Sequence, residues 1–288
     1  MQGRILKAVG GFYYVETENG VCECKARGIF RKEGDSPLTG DLVKIKFAQE
    51  GYPVIEQIMP RKNSLIRPPI ANIDILLIVC STIDPVPNSL VLDKITVAAS
   101  HKNIEPLLVF SKTDLHIEQE FVQMYHNTGI KTVVYSSIEK TGADKIIAAT
   151  ENKITAIAGG SGVGKSTLLN TCFPDLQLKT GDISIKLKRG KHTTRYVELI
   201  KRNNGYIADT PGFSKIDLGK YRIQPENLQA CFIEFLPYIG KCKFASCHHL
   251  CEKDCAVIDA VNKGTIARQR YNSYAAIYNE IKNIKTYR

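Results

Sequence analysis

The chain has 288 residues, 43% of them hydrophobic, and a formal net charge of +10. That length suits two or three domains, and the apolar content suffices for globular cores. The longest apolar run near the middle, Ile75–Cys80, is far too short to span a bilayer, and the opening MQGRILKAVGGFYYVET has no apolar signal segment. A chain that neither crosses a membrane nor enters the secretory route is predicted, and its charge points to a polyanionic partner, nucleic acid before an anionic membrane.

Residues 1–62 predict a domain of their own. Gly3–Val9, Phe12–Thr17, Val21–Ala26, Asp41–Phe47 and Val54–Met59 are short and β-prone. Turn signals separate them, among them Val9-Gly10-Gly11, Glu18-Asn19-Gly20 and Thr39-Gly40-Asp41. Five strands in so short a span fit a small closed barrel of the OB type. Such barrels often bind RNA through exposed aromatic and basic side chains. Phe12, Tyr13, Tyr14, Lys25, Arg27, Arg31 and Lys32 are the candidates, with barrel core and a solvated face as the competing roles.

Arg61–Pro69 reads as a linker, because its proline pair cannot extend a strand. A second domain, residues 63–218, then alternates strand and helix patterns. Ile73–Ser81, Pro106–Phe110 and Lys131–Tyr135 are apolar strands, with Asp74 breaking the first near its start. Leu90–His101, Gln119–Asn127 and Ala143–Thr150 carry helical patterns. The alternation predicts a doubly wound α/β fold with a parallel sheet, whose ligands belong at the carboxyl ends of the strands.

Two motifs stand there. In Ser111-Lys112-Thr113-Asp114, the Asp114 carboxylate can accept from the N1–H and 2-amino groups of guanine, while the Lys112 stem can lie over the base. Tyr135-Ser136-Ser137 follows the next strand, where the backbone N–H groups of Ser136 and Ser137 could meet guanine O6.

The chain is organised around Ile154–Asn170, an apolar strand, a glycine-rich turn and a helix start. Gly159-x-x-x-x-Gly164-Lys165-Ser166 satisfies the phosphate-loop pattern. Its glycines let successive N–H groups curl inward at phosphate oxygens. The loop Gly159, Gly160, Ser161, Gly162, Val163 and Gly164, with Lys165, Ser166 and Thr167, is the predicted cradle. Lys165 supplies a point charge to the β and γ phosphates and Ser166 an oxygen for Mg²⁺. The basic, glycine-bearing Lys179–Arg195 predicts a mobile loop in which Thr193 or Thr194 reaches Mg²⁺. Tyr196–Ile200 and Gly205–Ala208 read as a hairpin delivering Asp209-Thr210-Pro211-Gly212. Asp209 would hold Mg²⁺ through water and the Gly212 N–H would sense the γ-phosphate.

Of nine cysteines, Cys242, Cys247, Cys251 and Cys255 are bunched. A nucleotide-binding chain belongs in the cytoplasm, where bunched cysteines read as metal ligands before disulfides. Cys242-x4-Cys247-x-His249-x5-Cys255 supplies three thiolates and an imidazole, suited to a structural Zn²⁺ site in the third domain, residues 219–288. Cys251 and His248 remain spare candidates on spacing alone. Ala267–Lys285 predicts a helix with Tyr271, Tyr274, Tyr278 and Ile281 on one stripe. Arg268, Arg270, Lys282 and Lys285 around it are candidates for nucleic-acid phosphates.

These motifs resemble those of a Ras-like GTPase in the wrong order: SKTD and YSS precede Gly159, as in a circular permutation. With the OB-like barrel before and the cysteine cluster after, the chain resembles the ribosome small-subunit-dependent GTPase A (RsgA) family. The resemblance implies an OB-like β-barrel, a circularly permuted P-loop GTPase and a C-terminal α-helical zinc-binding domain. It implies a GTPase that binds the small (30S) ribosomal subunit late in assembly, with GTP/GDP, Mg²⁺ and one structural Zn²⁺, acting as a monomer. Ser111 stands where Asn or Thr is usual, which is expected to loosen the tie between base loop and phosphate loop. Ser137 stands where Ala is common. Phe213 replaces the glutamine that orients water in Ras-like enzymes, and the family's GKHTT-like loop suggests His192 for that task, alongside Lys165 and Thr194. The alternatives are a permuted GTPase serving another RNA assembly and an RNA-binding protein with a passive nucleotide switch.

Overall fold

A computed structural model describes residues 1–28, 30, 36–47, 51–115, 119–178, 197–209 and 216–284. In chain order the strands and helices are β1 (Gln2–Val9), β2 (Phe12–Thr17), β3 (Gly20–Ala26), β4 (Leu42–Lys46), β5 (Val54–Ile58), β6 (Ser64–Leu65), β7 (Ile70–Ala71), β8 (Ile75–Ser81), α1 (Ser89–His101), β9 (Glu105–Ser111), α2 (Gln119–His126), β10 (Lys131–Val134), α3 (Ala143–Thr150), β11 (Ile154–Ala158), α4 (Lys165–Cys172), β12 (Glu198–Arg202), β13 (Gly205–Asp209), α5 (Ala256–Asn262) and α6 (Arg268–Lys282). They group into two compact units. One comprises Met1–Leu76, Ala143–Ala158 and Lys165–Phe213; the other Leu77–Gly142, Gly159–Gly164 and Ser214–Arg288.

In the first unit β1 to β5 close on themselves. β1 pairs with both β2 and β4, β3 with β2 and β5, and β4 with β5. This is the predicted OB-like barrel. Period-two alternation sends Ile5, Val15, Cys24, Val43, Ile45 and Ile55 inward, each almost or wholly buried. Each fully buried aliphatic side chain of this kind contributes roughly 1.5–3 kcal/mol.

The expected linker is not one. Within Arg61–Pro69, Ser64–Leu65 pairs with Ile70–Ala71 as a short hairpin, and Leu65 and Ile70 are buried. Arg61 grips the fully buried Asp41 with two nitrogens, each 2.7 Å from a carboxylate oxygen. The Asn63 amide donates to Ile73 O at 2.7 Å and accepts its N–H at 2.9 Å. Polar groups that a linker would leave to water are paired here, and the stretch is fixed to the barrel.

β12 and β13 form the predicted hairpin, β11 runs parallel to β13, and β12 pairs with β1 at Glu198 and Lys7. Asp74, the charge that interrupts the apolar run, accepts the Ile154 N–H at 2.9 Å and the Lys62 ammonium at 2.7 Å. Burial opposes ionisation of Asp74, but these donors outweigh it and hold its pKa below the ordinary carboxylate value.

In the second unit the strand order is β10-β9-β8, with β9 and β10 parallel and β8 and β9 almost wholly buried. Asn88 caps α1 by accepting the Val91 N–H. Beyond Ser214 come short 3₁₀ segments, Leu218–Tyr221, Pro225–Cys231 and Ile233–Tyr238, then α5 and α6. The aromatic stripe of α6 is packed: Tyr274 meets the rings of Phe232, Phe235 and Tyr278. Arg270 corrects the expectation of a phosphate-facing cation. It is 1% exposed, fork-bonded to Glu234, paired with Asp93 and stacked on Phe232. A guanidinium held by two carboxylates in the interior has nothing left for an external phosphate. Lys285 lies outside the described residues.

Candidate functional site

The base motif and the glycine loop meet in the second unit. Ser111 ends β9 and is 1% exposed; its hydroxyl donates to Val163 O in the glycine loop at 2.6 Å. The expectation that serine would loosen this tie is corrected. The short side chain reaches because the glycine loop brings its carbonyl to β9. Thr113 donates to Tyr135 O at 3.1 Å, and Tyr135 N–H to Phe110 O at 2.8 Å, so the two base motifs are fastened to each other. The Ser136 hydroxyl donates to the Asp114 carboxylate at 2.7 Å and orients it. Ser136 thus positions Asp114 through its side chain, but its N–H, expected to meet guanine O6, already donates to Thr141 O at 3.3 Å; Ser137 is half-buried. Lys112 sits at φ +60° and sends its ammonium to Asp84 O at 2.5 Å.

The glycine loop demands its glycines. At Gly159, φ is +139°, and a Cβ there would lie 2.4 Å from Val79 O. Gly162 and Gly164 also have positive φ, and Gly160 has room beside Val163. Ser161 is exposed and Val163 buried.

In the first unit, Lys165 and Ser166 open α4 immediately after that loop, both largely buried, with Thr167 half-buried behind them. The dipole of α4 places positive potential at this end. β11 pairs with β13 in parallel, Ala156 against Ala208, so Asp209 and the end of β11 lie at the same edge. Ser166 offers an oxygen of the hard kind Mg²⁺ takes, while the side chain of Asp209 lies outside what is described. His192, Thr193, Thr194, Gly212 and Phe213 lie outside the described residues.

The cysteine cluster belongs to the second unit. Cys242, Cys247, His249 and Cys255 converge, their ligand atoms all within 4.8 Å of one another. His249 Nδ1 lies 3.5, 3.4 and 3.3 Å from the three sulfurs, and Cys242 Sγ lies 3.8 Å from Cys255 Sγ. A zinc tetrahedron with ordinary bond lengths has sulfur–sulfur edges of about 3.8 Å and nitrogen–sulfur edges of about 3.6 Å. The donor set therefore fits Zn²⁺. His249 Nε2 is 2.7 Å from Gln229 Oε1, which fixes the tautomer and leaves Nδ1 for a metal. Cys251 is exposed and the His248 ring lies tilted against that of Tyr278, and neither spare candidate joins the group.

Four contributors escape a reading of motifs. Ser81 and Asp84 organise the turn that meets Lys112, and nothing but the Asp84-Pro85 dipeptide hints at them. Gln229 has no local signal. Glu252 accepts the N–H groups of His248, Leu250 and Cys251; burial opposes its ionisation, yet these bonds hold its pKa at about 2.

Comparison with known proteins agrees with this geometry. The RsgA GTPase family model matches residues 58–219, and the RsgA N-terminal domain model matches 2–55. The chain is 42% identical over 286 residues to the small ribosomal subunit biogenesis GTPase RsgA of Caldanaerobacter subterraneus subsp. tengcongensis, covering 98% of this chain and 96% of that protein. It is 43% identical over 290 residues to the protein of the same name from a Geobacillus species, covering 99% of this chain and 98% of the other. Among solved structures, YloQ, described as a circularly permuted GTPase, matches with TM-score 0.79 and 35% identity over 98% of this chain and 94% of its own. YjeQ from Thermotoga maritima matches with TM-score 0.80 and 32% identity over 98% of both chains. The permuted motif order, the closed barrel and the Cys/His cluster thus sit together in a GTP-hydrolysing P-loop enzyme, and the chain belongs to the RsgA GTPase family.

Proposed function

We propose that this GTPase binds the small (30S) ribosomal subunit and couples GTP hydrolysis to late maturation of that subunit and to its own release. The observation that carries the reading is the full-length match to relatives called small ribosomal subunit biogenesis GTPases. A barrel with cationic and aromatic side chains supports an rRNA partner: Lys25 Nζ lies 5.3 Å from the Phe12 ring centre and 5.0 Å from that of Tyr52. Residues 1–62 serve as the RNA-binding barrel, 63–218 as the permuted GTPase and 219–288 as the zinc-binding part, in a cytoplasmic monomer. No helix among the described residues is long and apolar enough to cross a membrane.

Asp114 reads the guanine edge, with Ser111, Lys112, Thr113, Ser136 and Ser137 holding or lining the base. Residues Gly159–Thr167 cradle the phosphates, and Lys165 stabilises charge developing on the γ-phosphoryl group. Mg²⁺, held by Ser166, Thr194 and Asp209, would neutralise the β and γ oxygens. The Gly212 N–H senses the γ-phosphate and His192 orients the attacking water, a task for which Phe213 has no polar atom. Zn²⁺ on Cys242, Cys247, His249 and Cys255 is structural, because a closed four-ligand site keeps no position for substrate.

Phosphate release from GTP and from ATP, with small subunits, large subunits or no particles, tests the reading. Stimulation confined to GTP and small subunits is expected. Equal rates in every condition would remove the ribosome-triggered function. His192→Ala should lose the stimulation while keeping GTP affinity; stimulation at the wild-type level would remove His192 from the reaction.

A further inference from the structure

We infer that Ser81 and Asp84 act as positioning residues for the nucleotide base, forming a brace that holds Lys112 in place before nucleotide arrives. The inference rests on the reading of Lys112 as the lysine of the base loop.

The turn after β8 is built on one hydroxyl. Ser81, 1% exposed, donates to Asp84 O at 2.8 Å and accepts the N–H groups of Asp84 at 3.0 Å and Ile83 at 3.3 Å. The carbonyl so fixed is the one that accepts the Lys112 ammonium at 2.5 Å. A second attachment lies one residue before Lys112: Thr82, wholly buried, donates its N–H and its hydroxyl to Ser111 O at 3.2 and 3.3 Å. The 81–84 turn therefore grips the base loop at two successive residues. Ser111 in turn donates to Val163 O, so the base loop lies between the brace and the glycine loop.

Two features distinguish this from an ordinary strand-end turn. Lys112 has φ +60°, a left-handed conformation uncommon for a residue with a long side chain, and both of its chain neighbourhoods are tied down. Its partner is a neutral main-chain carbonyl, so its charge is not cancelled by a carboxylate. A lysine stem has many rotamers, and ordering it upon binding weakens affinity. Anchoring its far end in the free protein removes part of that entropic loss. The brace does not touch the edge that distinguishes guanine from adenine; that edge belongs to Asp114.

The test is a double-mutant cycle on GDP affinity in the full chain, with thermal unfolding recorded for every variant. Ser81→Ala is expected to weaken GDP binding by about tenfold, as loss of one hydrogen-bonded anchor would. Lys112→Met should weaken it at least as much, and the double variant no further than Lys112→Met alone. Ser81→Thr, which keeps the hydroxyl, should bind within about twofold of wild type. Wild-type affinity in Ser81→Ala, or losses that multiply in the double variant, would overturn the brace. Wild-type affinity in Lys112→Met would instead overturn the base-loop reading beneath it. A measurement that needs no variant is amine acylation of the nucleotide-free wild type. Lys112 should react more slowly than the exposed Lys44, and equal rates would overturn the brace even if Ser81→Ala failed to fold.

Discussion

Tyr206, on the second strand of the β12–β13 hairpin, donates its phenol hydrogen to the carboxylate of Glu16 on barrel strand β2. The Lys201 ammonium binds the other oxygen of Glu16 at 3.1 Å, and the Arg4 guanidinium lies 5.6 Å from the centre of the Tyr206 ring. Together with the Lys7–Glu198 ion pair at 3.0 Å, these side chains extend the β1–β12 main-chain joint. The barrel is therefore fastened to the hairpin whose last residue is Asp209, and not only by its covalent connection through residues 61–69.

This joint has a pH signature. Burial raises the Tyr206 pKa, with the Glu16 bond adding to it, to about 12; burial works against Glu16, but Tyr206 and Lys201 overcome it and lower its pKa. A raised tyrosine contributes stability fully present below its unfolded value of about 10 and lost as pH rises toward 12. A lowered glutamate contributes stability present above about 4.5 and lost as pH falls through its folded value. Tyr206→Phe should thus cost about 1 kcal/mol between pH 5 and 9. The gap in Tm from wild type should narrow above pH 10 and below pH 4.5. A gap constant across the whole range would show that the hydroxyl and Glu16 are not linked.

The sequence made the strands of the barrel legible because buried positions alternate there with exposed ones, and Ile5, Val15, Val43 and Ile55 follow that period to their places in the core. The glycine loop was legible because its backbone demands particular residues, as the close approach of Gly159 to Val79 shows. What the sequence could not show were partners set by tertiary packing. Arg270 carries the same local pattern as a solvated helix cation, and only the placement of Asp93 and Glu234 makes it a buried one. Arg61 looks like linker charge until Asp41 is seen opposite it. Ser111 read as a weakened tie because the distance to the Val163 carbonyl is a property of the folded loop.

The Ser111 bond to Val163 O should be needed for nucleotide affinity. Ser111→Ala leaves a buried glycine-loop carbonyl without this donor, which costs about 1–3 kcal/mol. With that cost falling on the nucleotide-ready arrangement, GDP and GTP should both bind about 5- to 150-fold more weakly. Ser111→Thr, with its hydroxyl retained, should stay close to wild type. Titration with a fluorescent GDP analogue reads both, and an unchanged affinity in Ser111→Ala would show the tie to be idle.

Arg270 should be among the costliest single substitutions in the chain. Removing it strands Asp93 and Glu234 without their cation, and breaking a buried pair from one side costs about 3–5 kcal/mol. Burial already pushes the Asp93 carboxyl up against the pull of Arg270, so without the arginine it should take up a proton. Arg270→Met should therefore lower the denaturation midpoint strongly at pH 7. Adding Asp93→Asn and Glu234→Gln should recover much of the loss, because no buried charge then remains. A triple variant no more stable than Arg270→Met would place the damage in the lost packing on Phe232 instead.

Gln229 should tune the metal without touching it. Its Oε1 accepts from His249 Nε2 and so leaves Nδ1 toward the three sulfurs. Gln229→Ala frees the ring to turn and to change tautomer, and loss of such a partner typically weakens metal affinity by about 10–100-fold. Chelator competition monitored by far-UV circular dichroism should show Zn²⁺ leaving Gln229→Ala at lower chelator concentration than wild type. Gln229→Glu, which can still accept from Nε2, should hold Zn²⁺ at least as well as wild type, since a carboxylate makes the imidazole a better donor. Because this cluster and the nucleotide loops share no residue, wild-type GDP affinity is expected in zinc-loaded Gln229→Ala. Equal chelator resistance in Gln229→Ala and wild type would mean that packing alone orients His249, its ring lying edge-on to Phe235.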